Sequence, residues 1–391
     1  MTRALFVLHT AESSGAELAA LRLAVAMHEM SAAPASSAAG TVEVAAAFAA
    51  DGDVADRMRA KGIRTHLLAT EHNSGAMTIA GRSIRRLVVG ALGLARVGWE
   101  LGALAREERA SVLVAETTKA LIMSAIASRR AGIPVVWHVH DRVTAEYFGA
   151  PLAVVVRLFG WLVSSAYIAN SEGTANTLAR WRRPTAVAYP GVTLRDDLER
   201  SPQRPADDVV VAMVGRLTRW KGQDLLLRAI RDQPIEPRRV LLVGGTFFEE
   251  PEYRHELEQY VASTGIPVEF TGHVDDPEKY MSEADILVHC SVMVEPFGQV
   301  VVEGMNAGCA VIASRPGGTT EIVEDGVNGL LVDSGDRSQL ADALARLIAD
   351  VGLRTTLSTN GRRRAERFDV RRSAVEVTEF LAWIATPKVA R

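Results

Sequence analysis

Residues 209–230 read VVVAMVGRLTRWKGQDLLLRAI, and this stretch predicts a strand, a loop and a helix in that order. Its first six residues are apolar and mostly β-branched, which is typical of a strand buried in a sheet. The loop then supplies Gly215 and two cations, Arg216 and Lys221. From Gln223 onward, leucine and isoleucine recur at helical spacing. A buried strand that leads through a glycine loop into a helix opens a βαβ unit, so we expect a mostly parallel sheet.

The same alternation of short apolar runs and helical segments extends in both directions from this stretch. Helical spacing is found at residues 16–30 and 118–130, for example, each between two runs that predict strands. Regular exchange of strand and helix is typical of the α/β class, in which helices cover a parallel sheet. Strands are predicted at residues 4–8, 42–48, 63–68, 112–115, 135–139, 167–169, 209–214, 240–243, 268–271, 286–289, 310–313 and 329–332.

The chain is long enough for two domains. At 391 residues it exceeds the size at which one hydrophobic core usually keeps growing. Residues 194–208 are rich in charge and proline and have no regular periodicity, which indicates a linker. We therefore expect two doubly wound, Rossmann-like domains, at residues 1–195 and 196–370. They would face one another across a central cleft at the carboxyl ends of their strands, where open α/β sheets bind ligands.

Composition and charge argue against several classes of function. The formal net charge of −3 gives no general attraction to nucleic acid, which needs a strongly basic face. Cys290 and Cys309 stand among apolar residues, and two thiols are too few for a disulfide framework. The apolar runs fall short of the roughly 20 residues of a spanning helix, and no signal peptide is expected. We expect a cytoplasmic protein, at most peripheral to a membrane.

Two segments of the first half leave peripheral membrane contact open. Residues 82–106 have basic ends and an apolar middle, so they predict either an interfacial helix or a buried core helix, and the core helix is favoured. Arg180, Arg182 and Arg183 surround Trp181, which predicts either a basic patch facing a membrane or a solvated helix face. For this cluster the solvated face is favoured.

The loop after the strand at residues 209–214 is a candidate anion site. Gly215 lets backbone approach a ligand, and Arg216 and Lys221 add two cations next to a predicted helix N-terminus. The chain uses five lysines against thirty-nine arginines, so a lysine here suggests a point charge on a phosphate. The alternative is a solvated loop lysine. A diphosphate is the ligand that this loop suits best.

A second motif places two carboxylates eight positions apart. Glu295 begins the sequence Glu-Pro-Phe-Gly-Gln, and Glu303 follows three valines. Pro296 suits a helix start, and a helix from there would separate the two carboxylates by about 12 Å along its axis. That length is comparable with the span from the sugar to the ribose of a nucleotide sugar. The competing interpretation is an ordinary surface glutamate at each end.

Glycine turns follow two further strands. Gly317 and Gly318 come after the strand at residues 310–313 and permit close backbone approach, although many turns share this pattern. In the first half, Ser14, Gly15 and Glu17 follow the first strand and open onto a helix, without the glycine spacing of a dinucleotide fold.

Two histidines mark the end of the strand at residues 135–139. Alternation along a strand puts His138 and His140 on one side and Val139 on the other. Asp141 follows directly. A single histidine at a strand end is more often structural, but two of them with an aspartate favour a functional site.

Taken together, these motifs resemble the large family of retaining glycosyltransferases of the GT-B fold, called group one or family four. The resemblance extends over nearly the whole chain. It rests on Gly215-Arg216 with Lys221-Gly222, on Glu295 and Glu303 around Glu-Pro-Phe-Gly, and on Gly317-Gly318 with Glu321-Ile322-Val323 and Gly329-Leu330-Leu331-Val332.

The resemblance implies a nucleotide diphosphate sugar as co-substrate and no further cofactor. Glu303 would bind the ribose, Glu295 would approach the donor sugar, and Arg216 and Lys221 would hold the diphosphate. The remaining donor contacts would come from Gly215, from the backbone of Phe297 and Gly298, and from Val274 in the loop next to the base.

The resemblance also implies an acceptor side in the first domain. His140 with Asp141 looks like the family's cleft histidine, placed near the reacting sugar, and His138 lies beside it. Residues 14–17, with Ser14, Gly15 and Glu17, would line the phosphate or acceptor side. The acceptor itself is not identified by any of these residues.

Enzymes of this family usually retain the anomeric configuration and do without a bound metal. The Asp51-Gly52-Asp53 sequence has the pattern of a metal-binding motif but lies away from the donor motifs, so it indicates a turn. Arg216 and Lys221 would instead neutralise the leaving diphosphate. We expect front-face displacement, in which the departing phosphate oxygen takes the acceptor's proton and Glu295 positions the sugar.

The sequence departs from the family at one place. Residues 189–192, Tyr-Pro-Gly-Val, lack the asparagine of the family's interdomain Pro-Asn-Gly-Val. The resemblance further implies that a C-terminal helix at residues 371–391 packs back on the first domain.

Other functions share this architecture. A nucleotide-sugar epimerase would turn over its donor with no acceptor, and a sugar phosphorylase would need a pyridoxal-bearing lysine. A non-catalytic nucleotide-sugar binder would bind the donor and show no turnover.

Overall fold

A computed structural model describes residues 2–32, 41–68, 84–195, 203–246 and 251–386, without the side chains of residues 84–92 and 251. The chain divides into two compact units. Unit 1 comprises Met1–Gly191 and Val370–Arg391, and unit 2 comprises Val192–Asp369.

The core of unit 1 is a seven-stranded sheet in which every strand pair is parallel. The strand order is β3-β2-β1-β4-β5-β6-β7. The strands are β1 (Thr2–Leu8), β2 (Val42–Phe48), β3 (Arg64–Leu67), β4 (Val112–Ala115), β5 (Val135–Val139), β6 (Ala166–Ala169) and β7 (Thr185–Val187). The helices are α1 (Gly15–Ala32), α2 (Asp53–Ala60), α3 (Ile84–Glu107), α4 (Thr118–Ala131), α5 (Ala145–Phe148), α6 (Ala150–Val163) and α7 (Glu172–Ala175).

Unit 2 repeats this plan with a six-stranded parallel sheet of order β10-β9-β8-β11-β12-β13. Its strands are β8 (Val210–Val214), β9 (Arg239–Val243), β10 (Val268–Gly272), β11 (Ile286–His289), β12 (Ala310–Arg315) and β13 (Leu330–Asp333). Its helices are α8 (Gln223–Arg231), α9 (Pro251–Thr264), α10 (Pro277–Ser282), α11 (Gln299–Ala307), α12 (Thr319–Ile322), α13 (Arg337–Ala349) and α14 (Val351–Ala365).

Both sheets have the doubly wound order of the Rossmann fold, so the predicted α/β class is confirmed. In each sheet the first strand, β1 or β8, lies between the second and the fourth strand of its unit. The chain therefore reverses its winding direction between β1 and β4, and again between β8 and β11. Such a switch point leaves an opening at the carboxyl ends of the strands, where ligands of these folds bind.

Apolar strands form the core of each unit. The residues of β1 and β4 that face inward are fully buried, as are those of β8 and β11 in unit 2. Strands that are covered on both faces need continuous apolar runs, which is why these strands were visible in the sequence. The short strand β7 was not predicted, because its Thr-Ala-Val sequence is only half-buried and carries little hydrophobic signal.

The last helix belongs to the first unit. Helix α15 (Val370–Ala385) follows unit 2 in sequence and packs against α1. Its residues Ala374, Val377 and Leu381 are fully buried in the same core cluster as the strands of unit 1. The return of a C-terminal helix to the first half had been implied only by the resemblance. Residues 387–391 of the predicted helix lie outside the described part of the chain.

The predicted linker only partly separates the units. The division falls between Gly191 and Val192, before residue 194, and residues 196–202 lie outside the described ranges. Arg204 forms an ion pair of 2.9 Å with the buried Asp285, so residues 203–208 are packed onto unit 2. The charge of this segment reflects a buried ion pair as well as exposure to solvent.

Candidate functional site

Lys221 and Glu295 meet at the switch point of the second sheet. Lys221 follows β8 and Glu295 follows β11. The Lys221 ammonium donates a hydrogen bond of 2.9 Å to Oε2 of Glu295, and both side chains are largely buried. Gly222 makes the approach of the two loops possible, because a Cβ there would lie 2.4 Å from the carbonyl oxygen of Cys290. The sequence motifs that suggested a phosphate loop and a sugar-binding glutamate are thus brought together.

The Glu295 carboxylate is surrounded by further donors. Its Oε2 accepts a hydrogen bond of 3.0 Å from Ser291 Oγ and lies 3.2 Å from Nε2 of His289. The opposite ring nitrogen of His289 lies 3.2 Å from Ser314 Oγ, which fixes the ring. Burial by itself would raise the pKa of the Glu295 carboxyl, but the Lys221 ammonium and His289 outweigh it and hold that pKa well below its ordinary range. Glu295 is therefore a carboxylate at neutral pH.

The glycine turn after β12, at Gly317 and Gly318, packs against the backbone of the loop that carries Glu295. The backbone N–H of Gly318 donates a hydrogen bond of 2.9 Å to the carbonyl of Glu295. A Cβ on Gly318 would lie 2.3 Å from Cα of Phe297, and one on Gly317 would lie 2.6 Å from the Glu295 carbonyl oxygen. These contacts explain the paired glycines, whose sequence signal was weak. Their function is close backbone packing that positions the Glu295 loop.

The predicted helix start at Pro296 is wrong. Helix α11 begins at Gln299, after Gly298 in a left-handed conformation with φ of 101°. Glu295 therefore lies outside the helix, and the distance of 12 Å along one helix axis does not apply. Glu303 lies half-buried within α11, so the helix N-terminus stands between the two glutamates in the sequence.

The other predicted donor residues have differing environments. Arg216 is exposed, whereas the side chains of Lys221 and Glu295 are largely buried. Gly215 has a φ of 146° and lies close to the stem of Lys221, whose Cδ and Cε would be 3.9 Å from a Cβ at this position. Val274 is half-buried in the loop after β10. The Phe297 side chain is buried against Phe368 at a ring distance of 5.7 Å, which leaves only its backbone for a ligand.

A second polar cluster lies at the carboxyl ends of β4 and β5 in unit 1. His138 and His140 lie on the same side of the strand, as the alternation predicts, with ring centroids 4.1 Å apart. Nε2 of His140 donates a hydrogen bond of 2.8 Å to Oε2 of Glu116, the residue directly after β4. The backbone of His140 is held by Asn170, whose amide donates a hydrogen bond of 2.6 Å to its carbonyl.

This cluster is fully buried and its charges are coupled. Burial opposes the charged form of Glu116, but the two histidines lower the pKa of its carboxyl to about 2. Burial likewise opposes a charge on His140, yet Glu116 outweighs it and raises the pKa of the His140 imidazole. For His138 burial prevails and lowers the pKa of the imidazole. The geometry thus favours a charged His140 next to a neutral His138.

Two polar atoms of the cluster have no hydrogen-bond partner among the described residues, Oε1 of Glu116 and Nδ1 of His138. Nδ1 lies 2.9 Å from Oε2 of Glu116, but the angle is unsuited to a hydrogen bond. The ligand atoms of Glu116, His138 and His140 lie within 4.8 Å of one another, which would also suit a divalent metal ion. The arrangement can therefore exchange protons or hold a cation.

The glycine turn after β1 contributes to the same cluster. Glu17 is buried on α1 and accepts a hydrogen bond from the hydroxyl of Ser14. Burial raises the pKa of the Glu17 carboxyl, although Ser14 and His140 act against it. Glu17 and the exposed Asp141 both favour the charged form of His140. Gly15 is the first residue of α1, and a Cβ there would meet no atom within 4 Å.

Five residues of these sites were missed in the sequence: Glu116, His289 and Ser291, together with Asn170 and Ser314, which contact the two histidines His140 and His289. Glu116 follows the apolar run Val-Leu-Val-Ala, and His289 ends the run Ile-Leu-Val-His. A polar residue at the end of a buried strand is the available signal, the same one that predicts His138 and His140. Ser291 carried no such signal, since a serine in a loop is common.

Two Rossmann-like units, with a buried lysine–carboxylate pair at the switch point of the second, define an α/β protein of the GT-B class. The family model described as glycosyl transferases group 1 matches residues 195–364. The model described as glycosyltransferase family 4 matches residues 52–196. The chain belongs to the group 1 glycosyltransferases.

Curated relatives match about half of the chain. The lipopolysaccharide core biosynthesis glycosyltransferase LpsD of Rhizobium meliloti is 36% identical over 212 residues, which are 54% of this chain and 54% of that protein. A D-inositol 3-phosphate glycosyltransferase of Xylanimonas cellulosilytica is 30% identical over 203 residues, 51% of this chain and 48% of the relative. The chain spans about half the length of the curated relatives it matches.

Solved structures match over the whole chain. The crystal structure of Anabaena HepE in complex with UDP and glucose is 27% identical, with a TM-score of 0.82, over 98% of this chain and 100% of HepE. Sucrose-phosphate synthase from Thermosynechococcus elongatus shares the fold at 20% identity, with a TM-score of 0.77 over 98% and 99% of the two chains. Among the described helices, none combines the length and apolar character that a membrane crossing requires.

Proposed function

We propose that this protein transfers a hexose, with retention of the anomeric configuration, from a nucleotide diphosphate sugar to an acceptor hydroxyl. The pair of Lys221 and Glu295 at the switch point of unit 2 is the observation that carries the proposal. UDP is the favoured nucleotide over GDP, and the similarity to HepE, whose structure contains UDP and glucose, supports this choice. The acceptor is a glycan, a lipid-linked glycan or a small molecule, and the likeness to LpsD favours a glycan.

The leaving diphosphate would bind between two cations and a helix N-terminus. Lys221 is held in place by Glu295, so its position is defined before the donor arrives. Arg216 is exposed and has no acidic partner among the described residues, so it is available for an anion. Both cations stabilise the charge that develops on the diphosphate as the glycosidic bond breaks. Helix α11, beginning at Gln299, adds the positive end of its dipole.

The sugar and nucleoside would be positioned by the residues around α11. Glu295 binds a hydroxyl of the donor sugar, and its low pKa makes it a hydrogen-bond acceptor at neutral pH. Glu303 binds the ribose hydroxyls. The backbone at Phe297 and Gly298 completes the sugar pocket, and Val274 lies next to the base.

The chemistry would proceed on one face of the sugar. The acceptor oxygen attacks the anomeric carbon from the side on which the diphosphate departs, and a phosphate oxygen takes the acceptor's proton. Because Lys221 neutralises Glu295, this carboxylate is a poor nucleophile, which favours a positioning role. Detection of a sugar covalently attached to Glu295 would overturn this mechanism. The anomeric configuration of the product, measured by NMR, tests retention.

The acceptor would bind at the polar cluster of unit 1. His140, charged through its hydrogen bond to Glu116, would donate to an acceptor oxygen or to the reacting sugar. Ser14, Gly15, Glu17 and Asp141 line this side. His138 is buried behind His140 and would support its ring.

We further propose that transfer needs no bound metal. The Asp51-Gly52-Asp53 sequence is a helix start and not the predicted turn, because Gly52 is the N-cap of α2 and Asp53 its first residue. Asp51 and Asp53 form ion pairs with arginines of α2, so both carboxylates already have cationic partners. The cluster of Glu116, His138 and His140 is where a metal would be found if this proposal is wrong. Stoichiometric zinc in the purified protein, lost in His138→Ala together with turnover, would overturn it. Full turnover after treatment with a chelator, with no metal detected, supports it.

Thermal stability with UDP, GDP, ADP and their sugar conjugates tests the donor site. A ligand at 100 times its dissociation constant adds about 2.7 kcal/mol to the free energy of unfolding. We expect stabilisation by the uridine series, and its loss in Glu303→Ala. Stabilisation by none of them would contradict the transferase proposal. Donor turnover without an acceptor would indicate an epimerase instead, and binding without any turnover would indicate a non-catalytic binder.

The alternatives for residues 82–106 are peripheral membrane contact and a buried core helix. The side chains at 84–92, which include Leu87, Val88 and Leu92, lie outside the described residues. Val97 and Leu101 are buried in the core of unit 1, which favours the interpretation of this part as a core helix.

A further inference from the structure

Helix α6 is apolar around its whole circumference. Its sequence, Ala150–Val163, contains Arg157 as its single charged residue. One face packs inward through Ala153, Val156 and Gly160. The helix approaches the sheet so closely that a Cβ on Gly160 would lie 2.4 Å from the Trp137 ring. The inner face of α6 is therefore buried against the rest of unit 1.

The outer face of α6 is equally apolar and is exposed. We call it the α6 face, defined by Val154, Val155, Leu158 and Leu162, which follow one another at helical spacing. Between 49% and 63% of each of these side chains is accessible. Scattered exposed apolar residues are ordinary, but four on one stripe of one helix mark an interaction site.

Two indoles lie at the C-terminal end of the α6 face. Trp161 of α6 stacks on Trp181, with ring centroids 6.0 Å apart. Trp161 also donates a hydrogen bond of 2.9 Å from Nε1 to the carbonyl of Trp181. These contacts tie residues 180–183 to the helix. The exposed Trp181 ring thus extends the apolar surface next to Leu162.

Arginines border this surface. Arg182 lies 5.0 Å from the Trp181 ring, and Arg183 lies 5.5 Å from the Trp161 ring. Arg157 and Arg180 add two further cations. Among residues 150–195 the one acidic residue is Glu172, the first residue of α7. None of the four arginines forms an ion pair within the part of the chain that the structure describes.

We propose that the α6 face, with Trp161, Trp181 and these arginines, docks on an anionic lipid bilayer. The helix of 14 residues is about 21 Å long, so it would lie in the plane of the bilayer with its outer face among the acyl chains. Indole rings prefer the boundary between headgroups and acyl chains. Arginines at that boundary reach anionic phosphates, and each contributes about a fivefold gain in affinity.

A second copy of this chain fits the same surface less well. A symmetric dimer places identical patches against each other. With four arginines at the patch, such an interface would bring like charges together. An anionic bilayer supplies the missing negative charge as well as an apolar partner.

Flotation with lipid vesicles tests the proposal independently of sugar transfer. The full chain is mixed with vesicles of phosphatidylcholine and phosphatidylglycerol in equal parts, or of phosphatidylcholine alone. We expect flotation with the anionic vesicles and at least tenfold weaker binding to the neutral ones. The double variant Leu158→Glu with Leu162→Glu should bind at least tenfold more weakly. Arg180→Gln with Arg182→Gln should lose about 25-fold on anionic vesicles only.

The matched control is Val351→Glu, an apolar residue of similar exposure on unit 2. It should float as the unchanged protein does. Equal melting temperatures for all variants would show that the exposed substitutions leave the fold intact. The proposal is overturned if the unchanged protein does not float, or if Val351→Glu loses as much binding as the α6 variants. A dimer in solution that Leu158→Glu converts to a monomer, without any vesicle binding, would also overturn it.

Discussion

At the scale of single residues, both sites consist of a buried carboxylate held ionised by a cation. Glu295 forms an ion pair with Lys221, and Glu116 forms one with His140. Such pairs add little net stability, because desolvation offsets the attraction between the charges. Each ion pair instead fixes the position of its charged groups before a ligand binds. This is the property that an anionic leaving group or a polar acceptor requires.

The substitution Glu295→Gln should destabilise the protein in a pH-dependent manner. The folded state lowers the pKa of this carboxyl from its ordinary value of 4.5, so its contribution is present above that pH and is lost as the pH falls. We expect a loss of about 1–3 kcal/mol in the free energy of unfolding at pH 7, since Lys221 loses its partner. Urea denaturation across the pH range measures this. A difference from the unchanged protein that persists undiminished in strong acid would contradict the assignment.

The substitution Glu116→Gln should change the charge of His140 as well as turnover. Burial would then dominate, so the pKa of the His140 imidazole should fall. We expect turnover to fall about a hundredfold, with the pH profile displaced to lower pH. NMR titration of the ring protons measures the pKa directly. The exposed Glu107→Gln is the matched control, and an unmoved His140 pKa in Glu116→Gln would rule out the proposed positioning role.

At the scale of elements, loops after strands decide where the site residues stand. The Gly317-Gly318 turn packs directly on the backbone of Glu295 and Phe297. Gly318 has a φ of −60°, so the need for glycine is steric and not conformational. The sequence predicted the turn, but it did not predict that the turn packs on the backbone of Glu295 and Phe297.

The substitution Gly318→Ala should therefore disturb the donor site through a clash. The new methyl group would lie 2.3 Å from Cα of Phe297, and backbone cannot move away as a flexible side chain can. We expect a loss of about 1–3 kcal/mol in stability and weaker stabilisation by UDP. Gly352→Ala is the control, since the closest atom there belongs to the Asp350 side chain. Thermal melts with and without UDP measure both effects, and equal behaviour of the two variants would contradict the steric argument.

At the scale of the whole molecule, the two units are not two consecutive halves of the chain. Helix α15 follows unit 2 but completes the core of unit 1. The stability of the first unit therefore depends on the last residues of the chain that the structure describes.

The substitution Leu381→Ala should weaken unit 1 without touching the donor site. Leu381 is fully buried among residues of unit 1, so the cavity should cost about 2–5 kcal/mol in that unit's free energy of unfolding. Hydrogen exchange should show faster opening of β1 and α1, with the strands of unit 2 unchanged. Trp383→Ala, which removes a half-exposed ring from the same helix, is the control. Faster exchange in unit 2 alone would contradict the assignment of α15.

The sequence by itself determined the α/β class, the positions of the buried strands and the motifs of unit 2. Strands such as β4 and β11 can be predicted from the sequence because both of their faces are buried, which requires a continuous apolar run. Lys221 was recognisable as a rare lysine in a glycine loop, and Glu295 by its spacing from Glu303. His138 and His140 were recognisable by their position at the end of a buried strand. The start of α11 was misjudged, since Pro296 suits a helix N-terminus and Gly298 in fact precedes it.

Only the tertiary structure decided which residues stand together. Glu116 and His140 are 24 positions apart, and Lys221 and Glu295 are 74 apart. No local pattern encodes such a contact, because the order of strands in the sheet decides which loops become neighbours. The exposure of the α6 face is likewise a tertiary fact. Apart from Arg157 its sequence is apolar, and the packing of Ala153, Val156 and Gly160 determines which side remains open.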